Sequence, residues 1–274
     1  VIFVGGLNHD LGNDCESRDR SELKLPYEQD ALLSRVVEAN PRTIVVLVSG
    51  SPVAMGAWLE HTPAVLQAWY GGMEAGNALA RVLFGDVNPS GKLPCTFPQK
   101  LADSPAHALG NFPGKDGTVR YEEGLLVGYR WFDTKQIAPL FPFGHGLSYT
   151  RFEYSGLKIV PGSEAKDAVA TVEFDLANTG DREGAEVAQL YVHDVAPSLP
   201  RPVKELKAFR KVALKPGEKQ HVSMPLGREA FAFYDPAKHG WVAEAGDFKI
   251  SIGGSSRDLR LEGAFKLATT TVQP

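Results

Sequence analysis

Apolar positions follow two different rhythms along this chain. Val1-Ile2-Phe3-Val4 is a continuous apolar run ending at Gly5-Gly6, the pattern of a buried strand entering a turn. From Pro26 to about Asn40, Leu32, Leu33, Val36 and Val37 recur at helical spacing and predict a helix opened by the proline. Thr43–Val48 sets five aliphatic residues after one threonine, as expected of a parallel strand covered on both faces. Ala64–Trp69 reads as a third strand. Met73–Phe84 reads as a second amphipathic helix, with Ala75, Leu79, Val82 and Leu83 as its buried stripe and Gly85 as its stop. This alternation is the grammar of an open α/β sheet, a partial α/β sandwich.

Between Asn88 and Thr150 the rhythm lapses. Proline and glycine recur, and aromatic residues crowd the end: Tyr121, Tyr129, Trp131, Phe132, Phe141 and Phe143. Long stretches of this kind inside compact domains are functional or packed, and the aromatic content predicts packing. After Thr150 the period becomes two. Val172, Phe174 and Leu176 alternate with Glu173, Asp175 and Ala177, and Asn178-Thr179-Gly180 and Lys215-Pro216-Gly217-Glu218 are turns. Strands are expected near Val187–Val192, Leu206–Leu214, Val222–Leu226, Phe231–Phe233 and Phe248–Ile252, which together predict an all-β sandwich. The expected division is residues 1–150 and residues 151–274.

Composition narrows the function classes. The 274 residues suit two ordinary domains, and 43% hydrophobic with 23% charged residues excludes intrinsic disorder. Residues 1–150 hold the whole net charge of −4 and the rest is neutral, so neither nucleic acid nor an anionic membrane is an expected partner. The longest aliphatic run, Ile44–Val48, falls far short of the roughly 20 residues that cross a bilayer. Cys15 and Cys95 form no disulfide framework and are expected as unpaired thiols. The seven histidines are scattered, and no metal or organic cofactor is implied. Gly5-Gly6 lacks the GxGxxG frame, Ser49-Gly50-Ser51-Pro52 breaks the nucleophile-elbow frame, and Gly144-His145-Gly146 reads as a turn. With no initiating Met or charged leader, a chain opening inside a core strand is expected to be the downstream part of a longer polypeptide.

The chemistry concentrates in residues 9–26, HDLGNDCESRDRSELKLP, a polar loop leaving the C-terminal end of a strand, where α/β sheets place their crevices. Asp10, Asp14, Glu16, Asp19 and Glu22 stand there beside Arg18 and Arg20. Such composition suits a solvated, charge-balanced loop. It also suits acid/base chemistry, provided one carboxyl is held neutral by burial or by a neighbouring carboxylate.

This loop, with E-S-R-D-R followed by S-E-L-K-L-P, closely resembles the acid/base loop of glycoside hydrolase family 3 β-glucosidases. Residues 43–55, 66–98, 121–133 and 139–154 resemble further segments of the same family, as do 178–192, 200–218 and 241–261, in the family's order. The resemblance implies a barrel upstream in the same polypeptide, then an α/β sandwich and a fibronectin type III-like module, the last two represented here. In the family pattern E-G-x-D-R the glutamate is the general acid/base and falls on Glu16; Ser17 stands where the glycine is usual, and the preceding loop is slightly longer. Asp14 is the alternative acid. Asp19 and Arg20 match the D-R and are expected to support the loop, with Arg20 paired to Asp19 or another carboxylate. The implied activity is retaining exo-hydrolysis of terminal β-D-glucosyl residues, with the aspartate nucleophile on the barrel. A β-glucoside or oligosaccharide is the implied substrate, and a homodimer is among the expected assemblies.

A β-xylosidase of the same family and a non-catalytic carbohydrate-binding or scaffolding module are the rival readings. No residue is assigned to substrate binding. Trp69 and Tyr70 could flank a sugar, although aromatics of this kind mostly serve packing. Trp131 and Phe141–Gly144 are expected to clamp the two domains. Glu74 suits a helix dipole, and nothing beyond its position makes Cys15 reactive.

Overall fold

The computed structural model describes residues 1–16, 18–162 and 168–273. They form two compact units that interleave along the chain. The first comprises residues 1–87, 95–122 and 138–141; the second comprises 88–94, 123–137 and 142–274.

The first unit is built on a parallel sheet of β1 (Ile2–Gly6), β2 (Ile44–Val48) and β3 (Ala64–Gln67), in the order β1-β2-β3. β2 is central, pairing Val45 with Phe3 on one side and with Val65 on the other. Its Val45, Val46 and Leu47 are fully buried, which is why this strand reads as uninterrupted aliphatic sequence. Helix α1 (Gln29–Ala39) packs Leu33 and Val37 inward while Leu32 faces water, so the apolar stripe is narrower than its spacing suggests. Trp58, in a 3-10 turn at Ala57–His61, completes the small core, and its indole Nε1 donates to Asp30 at 2.7 Å, so its own buried N–H is paired.

Helix α2 (Ala75–Leu83) departs from expectation. Ala75, Leu79, Val82 and Leu83 are only half-buried, and Met73 and Phe84 lie in solvent. Amphipathic periodicity fixes which face turns inward, whereas tertiary neighbours decide how fully it is covered. A one-turn helix, α3 (Pro105–Ala108), lies further along the first unit, and a short helix, α4 (Tyr129–Thr134), belongs to the second.

The second unit is all-β apart from α4 and one 3-10 turn. β4 (Phe152–Pro161), β5 (Ala170–Asn178) and β8 (Lys219–Leu226) form one antiparallel sheet, with β5 central. A second joins β6 (Gly184–Asp194), β7 (Glu205–Leu214), β11 (Gly246–Gly253) and β12 (Leu259–Leu267) in the order β12-β11-β6-β7. A small third sheet holds β9 (Phe233–Asp235), β10 (Gly240–Ala243) and β13 (Thr271–Gln273). Val172, Phe174 and Leu176 all point into the core, as the period-two pattern requires. Phe231 does not start a strand. It follows a 3-10 turn at Arg228–Ala230 and drives its ring against Phe248 and Phe265, with centroids 5.0 and 5.1 Å away.

Two buried charge clusters tie this unit's loops to its sheets. Arg201, almost fully enclosed, bridges Asp194 at 3.1 Å and Glu205 at 2.7 Å, and also donates to the carbonyls of Phe231 and Ala232. Asp133 of α4 forms an ion pair with Lys204 at 2.7 Å and accepts from Arg257, which in turn donates to the carbonyls of Phe132 and Ile137. Trp131 is buried within this same unit. Cys15 and Cys95 are free thiols.

Candidate active site

The polar loop takes off from β1 at a point fixed by backbone geometry. Gly6 adopts φ +144°, and a Cβ there would collide with the Val48 carbonyl oxygen. The Gln29 side chain closes the strand end, accepting from the Gly6 N–H and donating to its carbonyl, both at 2.8 Å. Pairing with β2 continues one residue further through Leu7 N–H and the Val48 carbonyl. Asn8, Asp10 and Asn13 then gather around the Tyr27 hydroxyl, which donates to Asp10 at 2.7 Å. The hydrogen bonds from Tyr27 and then Asn8 hold the Asp10 carboxyl below its ordinary range.

Asp14 is the most heavily bonded carboxylate of the loop. One oxygen accepts from the Gly50 N–H at 2.5 Å and from the Tyr70 hydroxyl at 2.9 Å; the other accepts from the Ser51 hydroxyl. Its main-chain N–H donates to the Asn8 carbonyl, and its own carbonyl accepts from His9 Nδ1 at 2.8 Å. Gly50 is required by this approach, since a Cβ there would lie 2.8 Å from the Tyr70 ring and 3.3 Å from the carboxylate. Tyr70 is aimed across β2 by Trp69, which sits in the left-handed region at φ 54° and packs edge-on against Phe97. The His9 ring lies 5.0 Å from that of Tyr70.

The electrostatics follow from this packing. Partial burial pushes the Asp14 carboxyl up, but the bonds from Ser51, Gly50 and Tyr70 and the nearby Arg20 charge outweigh it, and the net shift is downward. Burial and the Asp14 carboxylate together push the Tyr70 hydroxyl up to about 12. Asp14 is therefore an ionised anchor with its lone pairs occupied. That chemistry does not suit a proton donor.

Arg20 closes the other side of the loop. Its guanidinium donates to Ser51 Oγ at 3.1 Å and to the carbonyls of Pro52 at 2.8 Å and Lys24 at 3.3 Å. Among the described residues it forms no ion pair with Asp19; the carboxylates whose charges act on it are Asp14 and Glu22, while Ser51 and the carbonyls of Pro52 and Lys24 take its donors. Ser51 Oγ thus receives Arg20 and donates to Asp14, so both limbs of the loop converge on one hydroxyl.

Glu16 lies between those limbs, exposed, with no hydrogen bond or ion pair to another described residue. Asp19 is likewise exposed, and Ser17 lies outside the described residues. Cys15 Sγ accepts from the Gly12 N–H at 3.2 Å and faces the Arg18 carbonyl at 3.6 Å, a turn-stabilising role. Glu74 stands at the N-cap position of α2 without a side-chain bond to the helix N–H groups, and its carboxylate accepts from Asn77 at 2.6 Å. Sequence reasoning missed Gly50 and Ser51, set aside as a broken nucleophile elbow; small residues at the C-terminal end of a central strand were the available signal. Among the described residues no group of three or more His, Cys, Asp or Glu side chains is arranged to hold a metal ion.

Comparison with known proteins agrees with this architecture. The family model for the glycosyl hydrolase family 3 C-terminal domain matches residues 1–149, and that for a fibronectin type III-like domain matches residues 186–256. The chain belongs to glycoside hydrolase family 3. It is 47% identical over 262 residues to a β-glucosidase of Bacteroides ovatus, covering 95% of this chain and 35% of that protein. It is also 47% identical over 272 residues to thermostable β-glucosidase B of Acetivibrio thermocellus, covering 98% of this chain and again 35% of the relative. The solved β-glucosidase of Kluyveromyces marxianus in complex with glucose superposes with a TM-score of 0.91 at 41% identity, over 99% of this chain and 32% of that one. The chain thus spans about a third of the length of the relatives it matches.

Proposed function

We propose that this chain is the acid/base-bearing portion of a retaining, exo-acting β-glucosidase that hydrolyses terminal non-reducing β-D-glucosyl residues, with Glu16 as the general acid/base. The nucleophilic aspartate is assigned to an upstream barrel of the same polypeptide, in keeping with the greater length of the relatives. The observation that carries the reading is the division of labour between two carboxyls two residues apart. Asp14 is saturated with donors and ionised, while Glu16 projects from the loop so anchored and is free to meet a substrate. The names of the relatives support the glucoside as substrate.

In such a reaction one carboxylate attacks the anomeric carbon while the second protonates the departing oxygen, the two standing about 5–5.5 Å apart. Glu16 gives its proton in the first step. In the second it takes a proton from the water that releases the sugar. Asp19 and Arg20 support the loop and do not react. The test is Glu16→Ala in the full-length polypeptide. The value of kcat/KM should fall steeply for cellobiose, fall far less for dinitrophenyl glucoside, and the latter's turnover should recover with azide, yielding glucosyl azide. Equal losses on both substrates without azide recovery would remove Glu16 from the role.

A further inference from the structure

The loop that carries Glu16 is closed at its neck by a hydroxyl lying outside the loop. Asp14 enters two residues before Glu16 and Arg20 leaves four residues after it. Asp14 accepts the Ser51 proton, and Arg20 donates to the same oxygen. Three further bonds at the neck also lead to the ends of β2 and β3: Gly50 N–H and Tyr70 Oη to Asp14, and Arg20 to the Pro52 carbonyl. Asp14 and Arg20, the two feet of the segment that carries Glu16, therefore stand on one fixed point at the end of the central strand β2. Glu16 lies two residues from the nearer foot, within about 7 Å of backbone reach, so a shift of that foot becomes a shift of its carboxyl. A helix or strand would hold such a side chain through its own ladder. Among the described residues this loop has the neck and the small turn around Cys15.

We propose that Ser51, acting through Asp14 and Arg20, is a positioning residue that sets where the Glu16 carboxyl stands relative to the glycosidic oxygen. The inference rests on the acid/base reading of Glu16. Proton transfer to a departing oxygen tolerates little displacement, a misplacement of about 1 Å being worth on the order of 100-fold. Substrate affinity does not depend on that distance. Loss of the Ser51 hydroxyl should therefore act on the proton-transfer step and leave KM nearly constant.

The test compares Ser51→Ala, Glu16→Ala and the double variant in the full-length polypeptide, with Asp14→Ala as a second neck variant. Ser51→Ala is expected to lower kcat/KM for cellobiose about 10- to 100-fold with little change in KM, and to lower it less than about 3-fold for dinitrophenyl glucoside. In the Glu16→Ala background, Ser51→Ala should cost nothing further on cellobiose, because no proton remains to be delivered. Asp14→Ala should repeat the pattern. A loss from Ser51→Ala that is equal on both substrates, or that persists undiminished in the Glu16→Ala background, would overturn the positioning role. Absence of leaving-group dependence in Glu16→Ala itself would instead overturn the acid/base reading. The two failures are thus distinct.

Discussion

The two units bury their side chains on very different scales. Among the described residues the sandwich core gathers 22 buried hydrophobic side chains, five of them aromatic, whereas the α/β unit's core gathers 7 around β2 and Trp58. The proposed acid/base loop stands on the smaller core. Acid/base loops need freedom to reach a substrate, and that freedom is incompatible with deep burial of the loop itself. The α/β unit resolves the conflict with polar fixings: a few short hydrogen bonds onto the end of one fully buried strand. The sandwich uses its polar groups differently, enclosing Arg201 between two carboxylates to hold a loop shut.

Truncations in the two cores should show the contrast at its largest. Phe231→Ala removes a ring packed edge-on against one ring and tilted against another and should cost about 3–5 kcal/mol, while Leu47→Ala should cost about 2–5 kcal/mol. Denaturant unfolding of the full polypeptide, followed by hydrogen exchange in each unit, would register both. The comparison breaks if Phe231→Ala unfolds the β2 region as readily as the sandwich.

Opening Arg201 comes next. Arg201→Met leaves Asp194 and Glu205 without their shared cation and should destabilise the sandwich by about 3–5 kcal/mol, a value at the level of a core deletion only because the pair is enclosed. Burial pushes the Glu205 carboxyl up, but Lys207, Arg201 and Arg130 bring it below the ordinary 4.5. A carboxyl lowered on folding adds stability above its unfolded value and loses it as pH falls through the folded one. The wild-type sandwich should therefore weaken below about pH 4.5, and Arg201→Met should flatten that slope in acid denaturation. An unchanged slope would remove Glu205 from the account.

The smallest effect belongs to the loop. Asp14, lowered from 3.8, should keep the neck closed until strongly acidic pH. Tyr70 is raised, so its contribution is complete below about pH 10 and fades as pH climbs toward about 12. Ultraviolet difference titration of wild type against Tyr70→Phe should isolate one phenol ionising near 12. A midpoint near 10 would mean that the Tyr70–Asp14 bond is absent in solution.

Much of this was legible in the chain. The aliphatic run at Thr43–Val48 and the alternation at Val172–Leu176 announced a two-sided strand and a one-sided one, because burial on two faces or one face writes directly into local sequence. The incomplete cover of α2 and the turn before Phe231 were not legible, since both depend on neighbours far away in sequence. The same holds for residues 88–94 and 123–137, which group with the sandwich through pairs such as Asn88–Glu183 and Asp133–Arg257. In the site, five carboxyl groups crowd residues 10–22, and composition cannot rank them. What ranks Asp14 as an anchor is donors at positions 50, 51 and 70, brought to it only when three parallel strands align their ends.

Gly6 has a consequence for how such a protein can change. With no room for any side chain beside the Val48 carbonyl, the origin of the loop is a fulcrum that substitution cannot shift without prising β1 from β2. Variation in reach must enter downstream, in the span from residue 8 to residue 13, where insertions lengthen the approach while its departure stays fixed. A protein built this way can lengthen or shorten the reach of its loop and still leave its sheet untouched.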